Sequence, residues 1–372
     1  MKIAIDLTAL ADNFSGIERY AACMAKSIVA QDCDDELVLI FKETVHPWFE
    51  GYADRPNVEL RVVPRGHGGK AVFSQVKLPR ELRRIKPHIA LFMAFPCPLT
   101  YGGESVSTVH DLSCYDCPDT MTSKSRILWR ALDSHAVAGR RHVITISEFS
   151  KSRIVEHYGK NPNAITVAYC GIDLGLFNRE VGASREAEVR ERYGLPQRFV
   201  LSLSTIEPRK RLDLLVTAWA ELRDEGAIDR ELVIAGRKGW KMDELLESLS
   251  ENARAHVHFT GFVEDVDLPV LYRMGEPFVF PSRYEGFGLP PVEAHDSGAA
   301  VLCSDIPCLR EVCGDKVAYF RSGIKDDLKR ALSDMHLFDK VSEEPLKYSW
   351  DTEAGKVLEV LHNMTGRRTN GD

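Results

Sequence analysis

Residues 276–297 read EPFVFPSRYEGFGLPPVEAHDS: an apolar run, a turn punctuated by Gly286, Gly288, Pro290 and Pro291, then a helix start. The apolar run 276–281 reads as a strand and 292–297 as the beginning of a helix. A strand that passes through a glycine-rich turn into a helix is the repeating unit of an α/β fold. Two acids flank the turn, Glu285 in the loop and Glu293 in the first helical turn. Glycines let backbone N–H groups approach a bound anion, and a helix N-terminus favours negative charge. By spacing alone Glu293 reads either as a ligand-binding carboxylate or as a capping one.

Working outward, short apolar runs recur at 2–7, 37–41, 58–63, 89–92, 106–109 and 143–146, then at 199–203, 231–235, 257–259, 277–280 and 299–303. Helical patterns such as 17–30 and 212–222 lie between them. Runs this uniformly apolar predict parallel strands buried on both faces. The 372 residues suffice for two such sheets. The expected fold class is therefore α/β with two Rossmann-like domains. Their expected bounds are 1–175 and 197–345, joined by a polar linker at 176–196 and followed by a helix at 346–362 and a flexible tail at 363–372. Parallel sheets bind ligands at the carboxyl ends of their strands, so two facing domains imply a cleft.

The net charge of −7 gives no cationic field for nucleic acid. The start KIAIDLTAL is broken by Asp6 and reads as a first strand rather than a leader, and there is no apolar run of membrane-spanning length. Nine cysteines, odd in number and scattered through apolar runs, predict reduced thiols and a cytoplasmic location. Cys114 and Cys117 form a C-x-x-C without a second pair, so no metal site is expected. The H-E-x-x-H, G-x-S-x-G and G-x-x-x-x-G-K-[ST] patterns are absent, as is a three-glycine dinucleotide fingerprint.

Several strand-end segments carry candidate chemistry. Gly16, in NFSGI, is either a plain turn or part of a phosphate-facing loop. His110 and Asp111 follow the strand at 106–109, and Ser147 heads a helix as its cap. TIEPRKR at 205–211 places Arg209 and Lys210 in a strand-end loop, where a guanidinium fork and a compact ammonium suit two adjacent phosphates. Gly236 opens a second basic loop, GRKG.

Together these residues resemble family 4 of the retaining glycosyltransferases, also called glycosyl transferases group 1, which have the GT-B architecture. Glu285 and Glu293 resemble its E-x7-E pair, Arg209 and Lys210 its diphosphate-binding basic pair, His110 the histidine of the sugar pocket, and Gly16 the glycine of its first phosphate-facing loop. CGID at 170–173 and KYSWDTEA at 347–354 extend the resemblance to about residue 360. Ser204 and Thr205 depart from it, since relatives often carry a glycine before the P-R-K element.

The resemblance implies a nucleotide-sugar donor, with Glu293 on the ribose, Gly261 and Phe262 at the base, Gly288 and Leu289 giving N–H groups to phosphate, and Glu285 facing the transferred sugar. No metal or other cofactor is required. Within the family the chain looks most like bacterial mannosyltransferases of O-antigen and exopolysaccharide assembly, which implies GDP-mannose and a lipid-linked glycan acceptor at the inner face of the cytoplasmic membrane. The alternatives are a UDP-sugar-dependent enzyme of the same family and a noncatalytic nucleotide-sugar-binding protein. The basic stretch 80–86, RELRRIK, reads either as a peripheral membrane contact or as an ordinary solvated helix face.

Overall fold

The computed structural model describes residues 1–11, 16–31, 34–67, 69–138, 141–180, 184–203, 207–236, 246–340 and 342–366. The chain divides into two compact units, Met1–Gly171 with Tyr348 onward, and Ile172–Lys347. In the first, β1 (Lys2–Asp6), α1 (Gly16–Ala30), β2 (Glu36–Lys42), β3 (Val58–Val63), α2 (Leu78–Ile85), β4 (Ile89–Phe92) and β5 (Ser105–Val109) are followed by α3 (Ser123–Val137), β6 (Val143–Thr145), α4 (Glu148–Tyr158) and β7 (Ile165–Val167). The seven strands are parallel, in the order β3-β2-β1-β4-β5-β6-β7. Every residue of the central strands β4 and β5 is buried, as parallel strands covered on both faces are.

The second unit opens with α5 (Ser184–Tyr193) and continues through β8 (Phe199–Leu203), α6 (Leu212–Asp224), β9 (Glu231–Ala235), β10 (Val257–Gly261), α7 (Leu268–Met274) and β11 (Gly275–Phe280). It closes with α8 (Leu289–Asp296), β12 (Val301–Asp305), α9 (Pro307–Cys313), β13 (Ala318–Arg321) and α10 (Lys325–Ser333). Its sheet is also parallel, in the order β10-β9-β8-β11-β12-β13. Trp219 of α6 is fully buried beneath this sheet and donates its indole N–H to the Arg230 carbonyl at 2.9 Å. The polar atom of the largest core side chain is thereby satisfied.

The sequence reading differs from the structure in three places. The stretch expected as a linker, 176–196, contains α5, a folded part of the second unit. Val189 is its one fully buried apolar residue, and ions supply the other anchors: Arg185 and Arg192 each reach the fully buried Asp267 at 2.6 Å, and Tyr193 donates to it at 2.9 Å. So polar a helix leaves little hydrophobic periodicity to detect. Strands β7 and β13, of three and four residues, were not anticipated. The last helix, α11 (Trp350–Met364), begins after Ser349, whose hydroxyl accepts from the Thr352 N–H at 3.4 Å, and runs into the stretch expected as a flexible tail. The remainder of that tail, 367–372, lies outside the described residues.

Within the first unit α11 packs along α1. Glu353 accepts from the Tyr169 N–H at 3.1 Å, Trp350 meets Tyr20 edge-on, and His362 shares Asp35 with the N-terminal ammonium. Gly171 is fixed by this packing, since a Cβ there would run into the backbone nitrogen and the ring of Trp350. Backbone atoms cannot give way as a flexible side chain can, so Gly171→Ala is expected to destabilise the first unit by about 1–3 kcal/mol. Thermal denaturation monitored by Trp fluorescence checks this, and an unchanged midpoint would show that α11 is not held there.

Candidate functional site

The second sheet reverses its strand order between β8 and β11. Connections leaving two strands at such a switch point run to opposite faces and open a crevice at their carboxyl ends. The loop after β8 carries Arg209 and Lys210 in a short 3-10 turn, and the loop after β11 carries Glu285. The two loops are tied by their backbones, the Arg283 N–H donating to the Arg209 carbonyl at 2.9 Å. Lys210 Nζ then lies 2.6 Å from Glu285 Oε1, and an Arg209 guanidinium nitrogen 3.4 Å from Glu285 Oε2. Below them the Phe280 ring faces the Lys210 ammonium at 5.1 Å. The side chains of Glu285 and Lys210 are 7% and 13% exposed, so this is a mostly desolvated charge cluster rather than a surface pair. Burial opposes ionisation of Glu285, but the charges of Lys210 and Arg209 outweigh it and hold the carboxyl below its ordinary 4.5.

Gly288 stands at the entrance of α8 with φ of 95°. A Cβ there would come within 2.6 Å of Leu309 Cδ2, so both conformation and space require glycine. Pro290 and Pro291 bring no N–H to the first turn of α8, which leaves Gly288 and Leu289 as its donors. Glu293, on the same helix, is buried and accepts from the Tyr272 hydroxyl at 2.9 Å. Its carboxylate is thus oriented by a side chain from α7. Gly261 ends β10 with φ of 70° and nothing within 4 Å of a built Cβ, followed by the exposed Phe262. The Gly236 N–H donates to the Gly261 carbonyl at 2.8 Å, which ties the start of the GRKG loop to the end of β10. The rest of that loop, 237–239, and residues 204–206 before the basic turn lie outside the described residues.

In the first unit His110 follows β5. Its Nε2 lies 2.6 Å from the Met93 carbonyl, which can only accept, so Nε2 carries the proton and Nδ1 is left as an acceptor. Burial pushes this imidazole below its ordinary value, keeping it neutral. The Tyr20 ring meets it edge-on at 5.0 Å, and Ser150 donates to its carbonyl at 3.1 Å. Asp111 accepts from the Ser113 N–H at 2.8 Å, and Ser147 caps α4 through the Ser150 N–H at 3.0 Å. Gly16 is the first residue of α1 rather than part of a loop, and a Cβ on it would meet nothing within 4 Å; the preceding 12–15 lie outside the described residues. Cys114 and Cys117 are buried and not bridged, and among the described residues no group of His, Cys, Asp and Glu could hold a metal ion.

Arg209, Lys210 and Glu285 are therefore brought together, with Glu293 placed by the helix that follows their turn. The sequence reading missed Tyr272, Phe280, Tyr20 and the Met93 carbonyl. Tyr272 sits in the apolar run LPVLYRM, where a lone hydroxyl was the only available signal.

Residues 185–343 match the family model described as glycosyl transferases group 1, and residues 14–176 match that described as glycosyltransferase family 4. The chain belongs to this glycosyltransferase family. Among its family relatives, O-antigen chain mannosyltransferase B of Escherichia coli is 32% identical over 214 residues, 57% of this chain and 55% of that protein. The serotype-specific mannosyltransferase WbdA of the same organism is 37% identical over 228 residues, 58% of this chain and 28% of that one. The matches thus span about half, or less, of these curated relatives. The Anabaena protein Alr3699/HepE, solved in complex with UDP-glucose, superposes with a TM-score of 0.72 at 16% identity, covering 98% of this chain and 100% of that one. This likeness establishes the fold of the family member, two Rossmann-like α/β domains as in GT-B proteins.

A carboxylate held below its ordinary pKa stabilises the fold fully above that value, and the contribution is lost as pH falls through the folded one. Glu285→Gln is therefore expected to cost about 1–3 kcal/mol near pH 7, with the gap from wild type closing below pH 4.5. Urea unfolding across that range checks it, and a gap independent of pH would show that Glu285 is not ionised in the cluster.

Proposed function

We propose that the protein is a retaining glycosyltransferase that moves a hexosyl unit from a nucleoside diphosphate sugar to an acceptor hydroxyl. The observation that carries this reading is the half-buried pair of cations, Arg209 and Lys210, fixed by Glu285 at the switch point of the second sheet. Breaking the anomeric C–O bond sends its electron pair to the departing diphosphate. Cations already held in a dry site stabilise that charge without reorganising. The acceptor oxygen bonds to the anomeric carbon on the face the diphosphate leaves, and its proton passes to a departing phosphate oxygen.

In this scheme Glu285 faces the sugar and keeps Lys210 and Arg209 in place. Glu293, oriented by Tyr272, takes the ribose hydroxyls. Gly288 and Leu289 give N–H groups to phosphate, and Gly261 with Phe262 borders the base. Neutral His110 offers Nδ1 to a sugar hydroxyl.

For the nucleotide, a UDP-sugar has the better support, since a relative spanning nearly the whole chain was solved with UDP-glucose. GDP-mannose is the second reading, supported by the mannosyltransferase names of the E. coli relatives. A lipid-linked polysaccharide is the proposed acceptor, with the protein peripheral at the inner membrane face. Among the described residues no helix is long and apolar enough to cross a membrane.

Nucleotide release from UDP-glucose, UDP-N-acetylglucosamine and GDP-mannose, with and without a lipid-linked glycan extract, tests this reading. The expected outcome is acceptor-dependent release with a hexose gain in glycan mass, reduced about 100–1,000-fold by Arg209→Ala or Lys210→Ala. Release from GDP-mannose alone would reassign the donor. Nucleotide binding without turnover from any donor would contradict the enzyme and favour a binding protein.

A further inference from the structure

Ser282 and Glu285 stand in the spacing S-x-x-E, which at a helix start is a capping box. Here Ser282 caps no helix, because α8 begins only at Leu289 and residues 281–288 form the turn before it. Ser282 is nonetheless fully buried, and among the described residues its hydroxyl has no hydrogen-bond partner. A buried donor left unused costs free energy, so such groups are rare and call for a reason. Two nearby serines show the usual outcome: Ser202 donates to the Val279 carbonyl at 2.9 Å, and Ser297 to the Glu293 carbonyl at 2.7 Å.

The reason lies in what Glu285 loses when an anion arrives. Its Oε1 is held by Lys210 at 2.6 Å and its Oε2 by Arg209 at 3.4 Å, while Arg209 also reaches Glu207 at 2.9 Å. Burial opposes ionisation of Glu285, the two cations favour it most, and the Ser282 hydroxyl adds to them. Cys303 on β12 lies near the same carboxylate, but burial pushes its thiol well above its ordinary 9.0, so it brings no charge. An anion that draws Lys210 and Arg209 to itself leaves Glu285 buried, ionised and short of partners. A serine hydroxyl turns about its C–O bond and can donate to an acceptor that another group has vacated.

We propose that Ser282 is a positioning residue for Glu285, its hydroxyl taking over the carboxylate when Lys210 and Arg209 turn to the phosphates of a bound nucleotide. The identity of the ligand rests on the diphosphate reading of the two cations; the exchange of partners at Glu285 does not.

Two measurements on the full chain test it. Without ligand, Lys210→Ala mimics the departed ammonium, and urea unfolding of wild type, Ser282→Ala, Lys210→Ala and the double variant closes a cycle. At pH 7 Ser282→Ala should raise the unfolding constant less than about threefold alone and about tenfold or more beside Lys210→Ala. That difference should shrink as pH falls through the carboxyl's ordinary 4.5, since a protonated Glu285 no longer needs a donor. Ser304→Ala, on β12 and equally buried without a partner, should have the same effect in both backgrounds. An equal effect of Ser282→Ala in both backgrounds, a coupling that pH does not move, or the same coupling from Ser304→Ala would overturn the proposal. With ligand, calorimetry should find the better bound of UDP and GDP held about tenfold more weakly by Ser282→Ala, with binding of its monophosphate unchanged. An unchanged diphosphate affinity would also overturn the proposal. Absence of UDP and GDP binding by wild type would instead contradict the diphosphate reading, and the ligand-free cycle then decides the role of Ser282.

Discussion

The contact between Lys210 and Glu285 is the constraint on which the candidate site depends. Two opposite charges removed from most of the surrounding water are tolerated only when they face each other, so the loops leaving β8 and β11 are held in register by their electrostatics as well as by the Arg283 to Arg209 backbone bond. Arg209 adds a second positive charge to the same carboxylate and also pairs with the exposed Glu207 at 2.9 Å. The two cations are thereby held in fixed positions at the strand-end switch point.

The rest of the second unit supports this geometry. Gly288 admits the tight approach of Leu309 and sets the direction of α8, and α8 in turn places Glu293 against Tyr272. Asp267 gathers Arg185, Arg192 and Tyr193, fastening α5 to the start of α7, the helix that supplies Tyr272. In the first unit the same logic operates with other residues. The Met93 carbonyl fixes the tautomer of His110, Tyr20 packs between His110 and Trp350, and α11 is seated by Glu353 and by the glycine at 171.

Much of this was legible in the sequence. Strands buried on both faces show as near-continuous apolar runs, which is why β4, β8 and β9 were bounded correctly from composition alone, and why a strand, turn and helix at 276–297 revealed the α/β repeat. The basic pair and the two acids could be read because charged residues in glycine- and proline-rich strand ends are conspicuous. What could not be read depends on partners distant in the chain. Nothing in SREAEVRERY indicates that Asp267, more than seventy residues later, makes it a docked helix rather than a linker. Similarly, the Glu293 to Tyr272 bond and the use of the Gly236 N–H by Gly261 arise from tertiary contacts, and local spacing carries no trace of them.

The central claim is that Arg209 and Lys210 recognise the second phosphate of a nucleoside diphosphate. Calorimetric titration of the full chain with UDP and with UMP, repeated with GDP and GMP, measures that directly. The account predicts that the better diphosphate binds at least about tenfold more tightly than its monophosphate, as two charge-assisted contacts would give, and that Lys210→Ala erases the difference while sparing monophosphate binding. Equal affinity for mono- and diphosphate, or a difference that survives the substitution, would contradict it.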